Sequence, residues 1–199
     1  PDGSAIELWL RTPADKPPGQ ILAFKSERQW IGVSAGKGGL VLSWSPETNK
    51  RYSSSIGGAA LPQGEWVHLL LNWKGIGRQT TSVEAWINGE RVGATERSGP
   101  EFAPYSTRLF VGGTLGLLQS DFDLDALRIT RGTVDATEAR RRAADPPGRI
   151  DGTLVLDGFD EEVAVNSVAE TTAEVISGRS GEKGGIPHFL SQYVPGRHG

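Results

Sequence analysis

The chain has 199 residues, of which 37% are hydrophobic and 23% are charged, and its formal net charge is -3. These values are typical of a globular protein, and the length fits one large all-β domain. The charge and the lack of a dense Lys/Arg cluster argue against a nucleic-acid partner. A membrane span is not predicted either, because the sequence has no run of about 18 apolar residues. The chain contains no cysteine, which excludes disulfides and thiolate chemistry.

Short strands with alternating apolar side chains are predicted along the first part of the chain. They cover residues 5–12, 21–25, 30–35 and 40–44 and are separated by Pro-rich, polar or Gly-Gly turns. A weakly patterned segment follows, which contains Arg51 and Tyr52 and has room for an edge strand. With 27 Gly and 12 Pro, this spacing favours a β-sandwich or barrel.

The stretch from Gly64 to Ala94 has the strongest pattern in the chain. Residues 66–74 alternate between two sets that are both largely apolar, which predicts a strand in the middle of a sheet. Residues 83–87 and 90–92 flank Asn88-Gly89, the pair that most easily supplies the two positive φ angles of a type I′ turn. The stretch is therefore predicted to form three consecutive antiparallel strands.

One short helix is predicted near residues 135–144, after strands at 108–112 and 122–130. Asp135 and Glu138 have the spacing of a capping box, and Asp145-Pro146-Pro147 ends the helical pattern. We expect this helix to cover one end of the sandwich. The basic run at 140–142 is interpreted as a solvated helix end, because consecutive helical residues point about 100° apart.

The chain divides at about residue 150. Residues 1–150 are predicted to form one domain, whereas residues 151–199 form a tail of different character. The tail contains a predicted strand at 153–156, the acidic turn DGFDEE, a possible strand at 174–176 and a Gly-rich loop.

Four pieces of sequence support a family resemblance. They are, in order, IELWLRT with a later ILAF, GEWVHLLLNWKG leading to VEAWINGERVG, LFVGG, and DFDLDALRITRGTVDATEA. With these pieces, residues 4–139 resemble the laminin-G-like members of the concanavalin A-like lectin and glucanase superfamily. The resemblance implies an all-β fold, a two-sheet antiparallel jelly-roll sandwich.

The tail bears on the same resemblance. Such domains usually open with a strand that precedes the piece matching IELWLRT, and the segment GTLVLDGFDEEVAVNSVAETTAEVISG resembles that opening at the other end of the chain. We expect residues 151–199 either to fold back beside IELWLRT and complete the same sandwich, which we favour, or to begin a second, truncated domain. An unpaired position beside IELWLRT would be an aggregation-prone edge that needs cover.

Catalysis is not expected. The enzymes of the superfamily carry a Glu-x-Asp-x-x-Glu type of strand, which supplies the two carboxylates that glycoside hydrolysis needs, and this chain has none. With only three histidines, a zinc site is also disfavoured. We interpret His68, in an apolar strand, as a hydrogen-bonded core residue. A glycoside hydrolase is therefore the least favoured hypothesis.

Calcium is the metal that this composition could bind. Calcium takes six to eight oxygen ligands, which acidic loops of a sandwich can supply. The candidate ligands are Asp123, Asp125, Asp157 and Asp160. In the alternative interpretation, Asp125 caps backbone amides and the acidic residues of the tail are solvated.

Aromatic residues outside the strand centres are candidates for a ligand surface. Proteins bind sugars with aromatic faces and with planar polar side chains nearby. Four tryptophans, at positions 9, 66, 73 and 86, lie where the fold itself would bury them. The other aromatic residues lie at strand ends or in loops, with arginines nearby. A ligand surface is therefore predicted to contain Trp30, Trp44, Tyr52, Tyr105, Arg28 and Arg51.

These observations predict a non-catalytic binding module for a carbohydrate or a protein partner, located outside the cell or on its surface. The chain begins with Pro-Asp-Gly, and we expect it to be part of a larger multidomain protein. The alternative is a structural spacer domain with no ligand of its own. An exposed Trp30, Trp44 and Tyr52 cluster would favour binding, and its burial would favour the spacer.

Overall fold

The computed structural model describes residues 3–15, 19–25, 29–47, 50–76, 78–99, 108–114, 118–119, 122–145, 150–151, 153–157, 165–166 and 171–172. Two antiparallel sheets make up most of it. The first has six strands, in the spatial order β13 (Thr153–Asp157), β12 (Asp123–Arg131), β1 (Gly3–Arg11), β6 (Trp66–Lys74), β7 (Thr80–Ile87) and β8 (Glu90–Ser98).

The second sheet has five strands. Its spatial order is β5 (Lys50–Gly57), β4 (Gly39–Glu47), β3 (Trp30–Gly36), β2 (Gly19–Lys25) and β9 (Arg108–Val111). Four two-residue strands form two small additional pairs, β10 (Gly113–Thr114) with β11 (Leu118–Gln119) and β14 (Val165–Asn166) with β15 (Thr171–Thr172). The predicted two-sheet antiparallel sandwich is confirmed.

The core lies between the two large sheets and takes every second residue from their strands. β1 contributes Ile6, Leu8 and Leu10, and the five-stranded sheet contributes a matching set from β2, β3 and β4. Trp73 of β6 meets Phe24 of β2 edge to face, with ring centroids 5.4 Å apart. Such alternation leaves the other face of each sheet to carry polar contacts.

The central hairpin forms as the sequence predicts. β6 lies between β1 and β7, and its side chains are buried on both faces except at its ends. At the turn between β7 and β8, Asn88 has φ 49° and Gly89 has φ 80°. These values are those of a type I′ turn, which matches the twist of the two strands.

The position of β1 differs from the prediction. β1 pairs with β12 on one side and with β6 on the other, so no position beside IELWLRT is left vacant. The first strand of the tail, β13, instead pairs with β12 and forms the edge of that sheet. The possible strand at 174–176 lies outside the described residues, and the assignment of the whole tail to this domain stays a prediction.

The helix α1 (Ala136–Ala144) begins as predicted but lies elsewhere. Asp135 is its N-cap, and the Asp135 carboxylate accepts a hydrogen bond of 2.9 Å from the Glu138 backbone N–H. The helix does not cover an end of the sandwich. It packs on the outer face of the six-stranded sheet, where Ala139 is buried with Leu70 and Trp86. No helix in the described part of the chain has the length and apolar character that a membrane span needs.

A buried ionic cluster joins α1 to this outer face. Glu7 of β1 accepts hydrogen bonds from Arg128 of β12 at 2.6 Å and from Arg142 of α1 at 2.7 Å. Arg142 also pairs with Glu138 at 2.6 Å, so it bridges the two carboxylates. The interpretation of residues 140–142 as a solvated helix end is therefore wrong for Arg142, which is 7% exposed.

The cluster keeps Glu7 ionised. Burial alone would raise the pKa of Glu7, but hydrogen bonds from His68 and Arg128 and the charges of both arginines lower it to about 2. An ionised carboxylate only accepts hydrogen bonds, so His68 Nε2, 3.2 Å from Glu7 Oε2, carries the proton of that contact. The cluster thus has a structural role, holding β1, β12 and α1 together.

Candidate functional site

The structure divides the predicted aromatic cluster between two faces of the five-stranded sheet. Trp44 is opposite Ile31 in the β3–β4 ladder and opposite Tyr52 in the β4–β5 ladder, so these three side chains share the core-facing side. Trp30 precedes Ile31 and is opposite Ser45, which places both on the outer face. Successive strand residues point to opposite faces, so Trp30 does not share a surface with Trp44 and Tyr52.

On the outer face, Trp30 is covered by an arginine. The Arg51 guanidinium carbon lies 5.4 Å from the centroid of the Trp30 ring, within the range of a cation–π contact. Arg51 is exposed and Trp30 is half-buried. Among the described residues, no carboxylate pairs with Arg51, so its N–H donors face solvent beside an aromatic ring.

On the other face, Trp44 and Tyr52 stack on one another at the edge of the sandwich. Their ring centroids are 5.8 Å apart and their planes are 20° apart. Trp44 packs against the core, whereas Tyr52 is 48% exposed. Tyr52 therefore lies next to Arg51 in sequence but on the opposite face of the same strand.

The other predicted ligand-surface residues are less defined. Arg28 and Tyr105 lie outside the described residues. Gln29 precedes β3, and its amide donates a hydrogen bond of 3.1 Å to the Pro46 carbonyl at the end of β4. This bond ties together the two strand ends that carry Trp30 and Ser45.

Trp66, which was predicted to be buried in the core, is a further candidate for a ligand surface. It is half-buried and lines a cavity of about 400 Å³ with Asn88 and Arg140. On its other side, the Arg11 guanidinium lies 5.1 Å from a Trp66 ring centroid. The missed signal is the place of Trp66 in its strand. Trp66 is the first residue of β6, at the strand end, where side chains are less enclosed by the core. Trp9, Trp73 and Trp86 are buried as expected.

In the described part of the chain, the predicted calcium ligands do not come together at one site. Asp123 forms an ion pair of 2.7 Å with Arg11, beside a second cavity of about 370 Å³. Asp125 is 5% exposed, and Asp157 belongs to β13, opposite Leu127 of β12. Asp160 lies outside the described residues. No group of three or more His, Asp or Glu in the described part of the chain could hold a metal ion, and calcium stays a prediction.

Glu7 and His68 bring a carboxylate and an imidazole within 3.2 Å of each other, but both side chains are closed to solutes. Both side chains have 0% exposure. The His68 ring also packs against Trp9, with ring centroids 4.5 Å apart. General acid–base catalysis needs a group within hydrogen-bonding reach of the substrate, which this pair does not offer.

Residues 1–140 match the family model described as the concanavalin A-like lectin/glucanases superfamily. The chain therefore belongs to this superfamily, as the resemblance of its strands implied. The sequence matches no curated protein.

Three solved structures share the fold at low sequence identity. Domain 4 of AbnA, an extracellular GH43 arabinanase from Geobacillus stearothermophilus, in complex with arabinotriose, has a TM-score of 0.52 and 18% identity over 71% of this chain and 66% of that one. A Bacteroides ovatus protein proposed to bind carbohydrate has a TM-score of 0.55 and 13% identity over 86% of this chain and 51% of that one.

The third is botulinum neurotoxin type C, whose cell entry depends on interaction with two ganglioside molecules. It has a TM-score of 0.50 and 11% identity over 71% of this chain and 35% of that one. The alignments thus cover from 35% to 66% of the three longer structures. At these identities, the comparisons establish the fold.

Proposed function

We propose that this chain is a non-catalytic carbohydrate-binding module of a protein located outside the cell or on its surface. The observation that carries the proposal is the contact between Arg51 and Trp30, an exposed guanidinium on an aromatic ring with no carboxylate partner among the described residues. The three structural neighbours support it, since each is described as binding, or is proposed to bind, a sugar-containing ligand.

The chemistry of this contact suits a sugar. A guanidinium presents its N–H donors in a rigid planar fork, which can bind two oxygens of a ligand at once. Trp30 holds that fork in place, so little side-chain entropy is lost when a ligand binds. The half-buried indole of Trp30 beside it offers apolar surface to the C–H face of a pyranose ring.

The experiment is a glycan and polysaccharide array probed with the full chain and with single variants. We expect Trp30→Ala and Arg51→Ala each to weaken binding at least about tenfold, as loss of a central aromatic or arginine contact usually does. Tyr52→Ala is the matched control, because it removes an exposed aromatic residue from the same strand on the opposite face. Running the array with calcium and again with a chelator also tests the calcium prediction.

Other results of the array experiment would point to a different site or a different function. Loss of binding in Tyr52→Ala with Arg51→Ala unaffected would move the site to the Trp44 and Tyr52 stack. Loss in Trp66→Ala alone would move it to the cavity beside Asn88. The absence of binding to any glycan would contradict the proposal and favour the structural spacer or a protein partner.

A further inference from the structure

A row of residues crosses the outer face of the five-stranded sheet at the end where β3 begins. Trp30 of β3 is opposite Lys25 of β2, and Lys25 is opposite Arg108 of β9. On the other side of Trp30, Ser45 of β4 separates it from Arg51 of β5. We call Arg51, Trp30 and Lys25 the basic row.

The positive charge of this row is not neutralised within the described part of the chain. Neither Lys25 nor Arg51 has a carboxylate partner there, and Glu47 at the end of β4 pairs with Lys50 at 2.9 Å. The arginines elsewhere on the six-stranded sheet and on α1 more often have a carboxylate partner, as do Arg11, Arg91, Arg140 and Arg141.

The excess of positive charge is confined to the basic row. The whole chain has a formal net charge of -3, so a polyanion is not attracted by the overall charge. On the same face, the next residues along the strands, Ala23 and Ser43, are 0% and 3% exposed. A ligand on this face therefore contacts the basic row at the end of the sheet.

We propose that the basic row binds an acidic glycan through its carboxylate or sulfate groups. Arg51 fits such a group because two parallel N–H bonds can reach two of its oxygens. Lys25 supplies a second positive charge on the far side of Trp30. From Arg51 on β5 to Lys25 on β2, the row crosses three strand spacings of about 4.8 Å each, or about 14 Å, which suits a chain of several sugar units.

This inference rests on the proposed function and adds the chemical class of the ligand. Two features distinguish it from general sugar binding. Binding should require anionic groups on the sugar, and it should weaken as salt screens exposed charges over the Debye length of about 8 Å at physiological ionic strength. Neutral-sugar binding to Trp30 alone would show neither feature.

The experiment titrates the full chain with three labelled probes. They are oligogalacturonate, its fully methyl-esterified form as the neutral match, and a sulfated dextran. We expect at least one anionic probe to bind at least about tenfold more tightly than the methyl ester, and we expect its affinity to fall about tenfold between about 50 and about 500 mM NaCl. The two anionic probes distinguish carboxylate from sulfate as the group recognised.

The variants locate the effect. Arg51→Gln and Lys25→Gln should each lower the affinity for the anionic probe about tenfold, the loss expected for one charged hydrogen bond. Lys37→Gln is the charge-matched control, because Lys37 is exposed in the turn at the other end of β3. Unchanged thermal unfolding shows that each variant is folded.

Three outcomes would overturn the inference. The methyl ester binding as tightly as the acid would refute acidic recognition while leaving the proposed function in place. An equal loss in Lys37→Gln would indicate unspecific attraction to the surface. Failure of every probe here and of every glycan on the array would refute the inference and the proposed function together.

Discussion

The Arg51 guanidinium lies over the Trp30 ring although the two residues are on strands that do not touch each other. β4 runs between them, and the residue it places there is Ser45. The small side chain of Ser45 donates a hydrogen bond of 2.6 Å to the Glu47 carbonyl. A larger side chain at position 45 would keep the Arg51 guanidinium away from the Trp30 ring.

Ser45→Leu should therefore weaken glycan binding without removing a residue that contacts the glycan. We expect a loss of about tenfold, close to that of Arg51→Ala, because Arg51 then loses the ring that orients it. Ser53→Leu is the control, since Ser53 is exposed on the same face as Arg51, two residues further along β5. Calorimetric titration of both variants measures the difference, and equal affinities would show that the contact with Trp30 does not matter.

The ionic cluster under α1 should make a large contribution to stability. Glu7→Gln leaves Arg128 and Arg142 buried with less opposing charge, so we expect the free energy of unfolding to fall by about 3 kcal/mol or more. Glu90→Gln, which breaks the exposed pair with Arg140, should cost less than about 1 kcal/mol. Urea unfolding of the two variants tests the contrast. A small effect of Glu7→Gln would mean that the cluster roughly cancels its own desolvation cost.

The same cluster predicts acid sensitivity. The pKa of Glu7 is lowered from 4.5 to about 2 in the folded protein, so its stabilisation is fully present above pH 4.5 and is lost as the pH falls through about 2. The contribution is about 3 kcal/mol, from about 1.4 kcal/mol for each pH unit of the shift. Glu138, whose pKa is also lowered to about 2, chiefly by its hydrogen bond with Arg141, adds to the acid loss.

Urea unfolding at several pH values measures this dependence. We expect the difference in unfolding free energy between the wild-type protein and Glu7→Gln to shrink between pH 5 and pH 2, because protonation removes the same charge as the substitution. A difference that stays constant over that range would show that Glu7 does not titrate there.

Gly89 is expected to be irreplaceable for two separate reasons. Its φ of 80° disfavours any side chain, and a Cβ would lie 2.7 Å from the Cα of Arg140 in α1. Gly132 has a similar φ of 84° but nothing within 4 Å of its Cβ position. Gly132→Ala should therefore cost about 1 kcal/mol, and Gly89→Ala clearly more, when thermal unfolding is compared. Equal costs would mean that α1 shifts freely on the sheet.

Local features of the sequence predicted much of the fold. The alternation in residues 66–74, the Asn88-Gly89 turn and the Asp135 cap all depend on residues close in sequence, and all three are found. The separation of Trp30 from Trp44 was also present in the alternation, since Trp30 is out of phase with Ile31 and Val33 in the core. It was missed because the aromatic residues were grouped by position at strand ends.

Other features depend on pairing across the chain, which no local pattern reveals. Glu7 meets Arg128 and Arg142 only after β1 and β12 pair and α1 folds over them. The contact between Arg51 and Trp30 depends on two ladders, which place Ser45 opposite Trp30 and Tyr52 opposite Trp44. The sequence alone predicted Trp30 and Arg51 as candidates, whereas Lys25 joins them only through the pairing of β2 with β3.

The central claim is that a glycan binds on the outer face of the five-stranded sheet at Trp30. The most direct test is to add the best glycan of the array to ¹⁵N-labelled protein and to follow the six tryptophan indole N–H signals by NMR, with Trp30→Phe and Trp66→Phe for assignment. We expect the Trp30 signal to shift in proportion to occupancy while the signals of Trp44 and Trp66 stay in place. A shift of the Trp66 signal with Trp30 unmoved would contradict the claim and place the site beside α1.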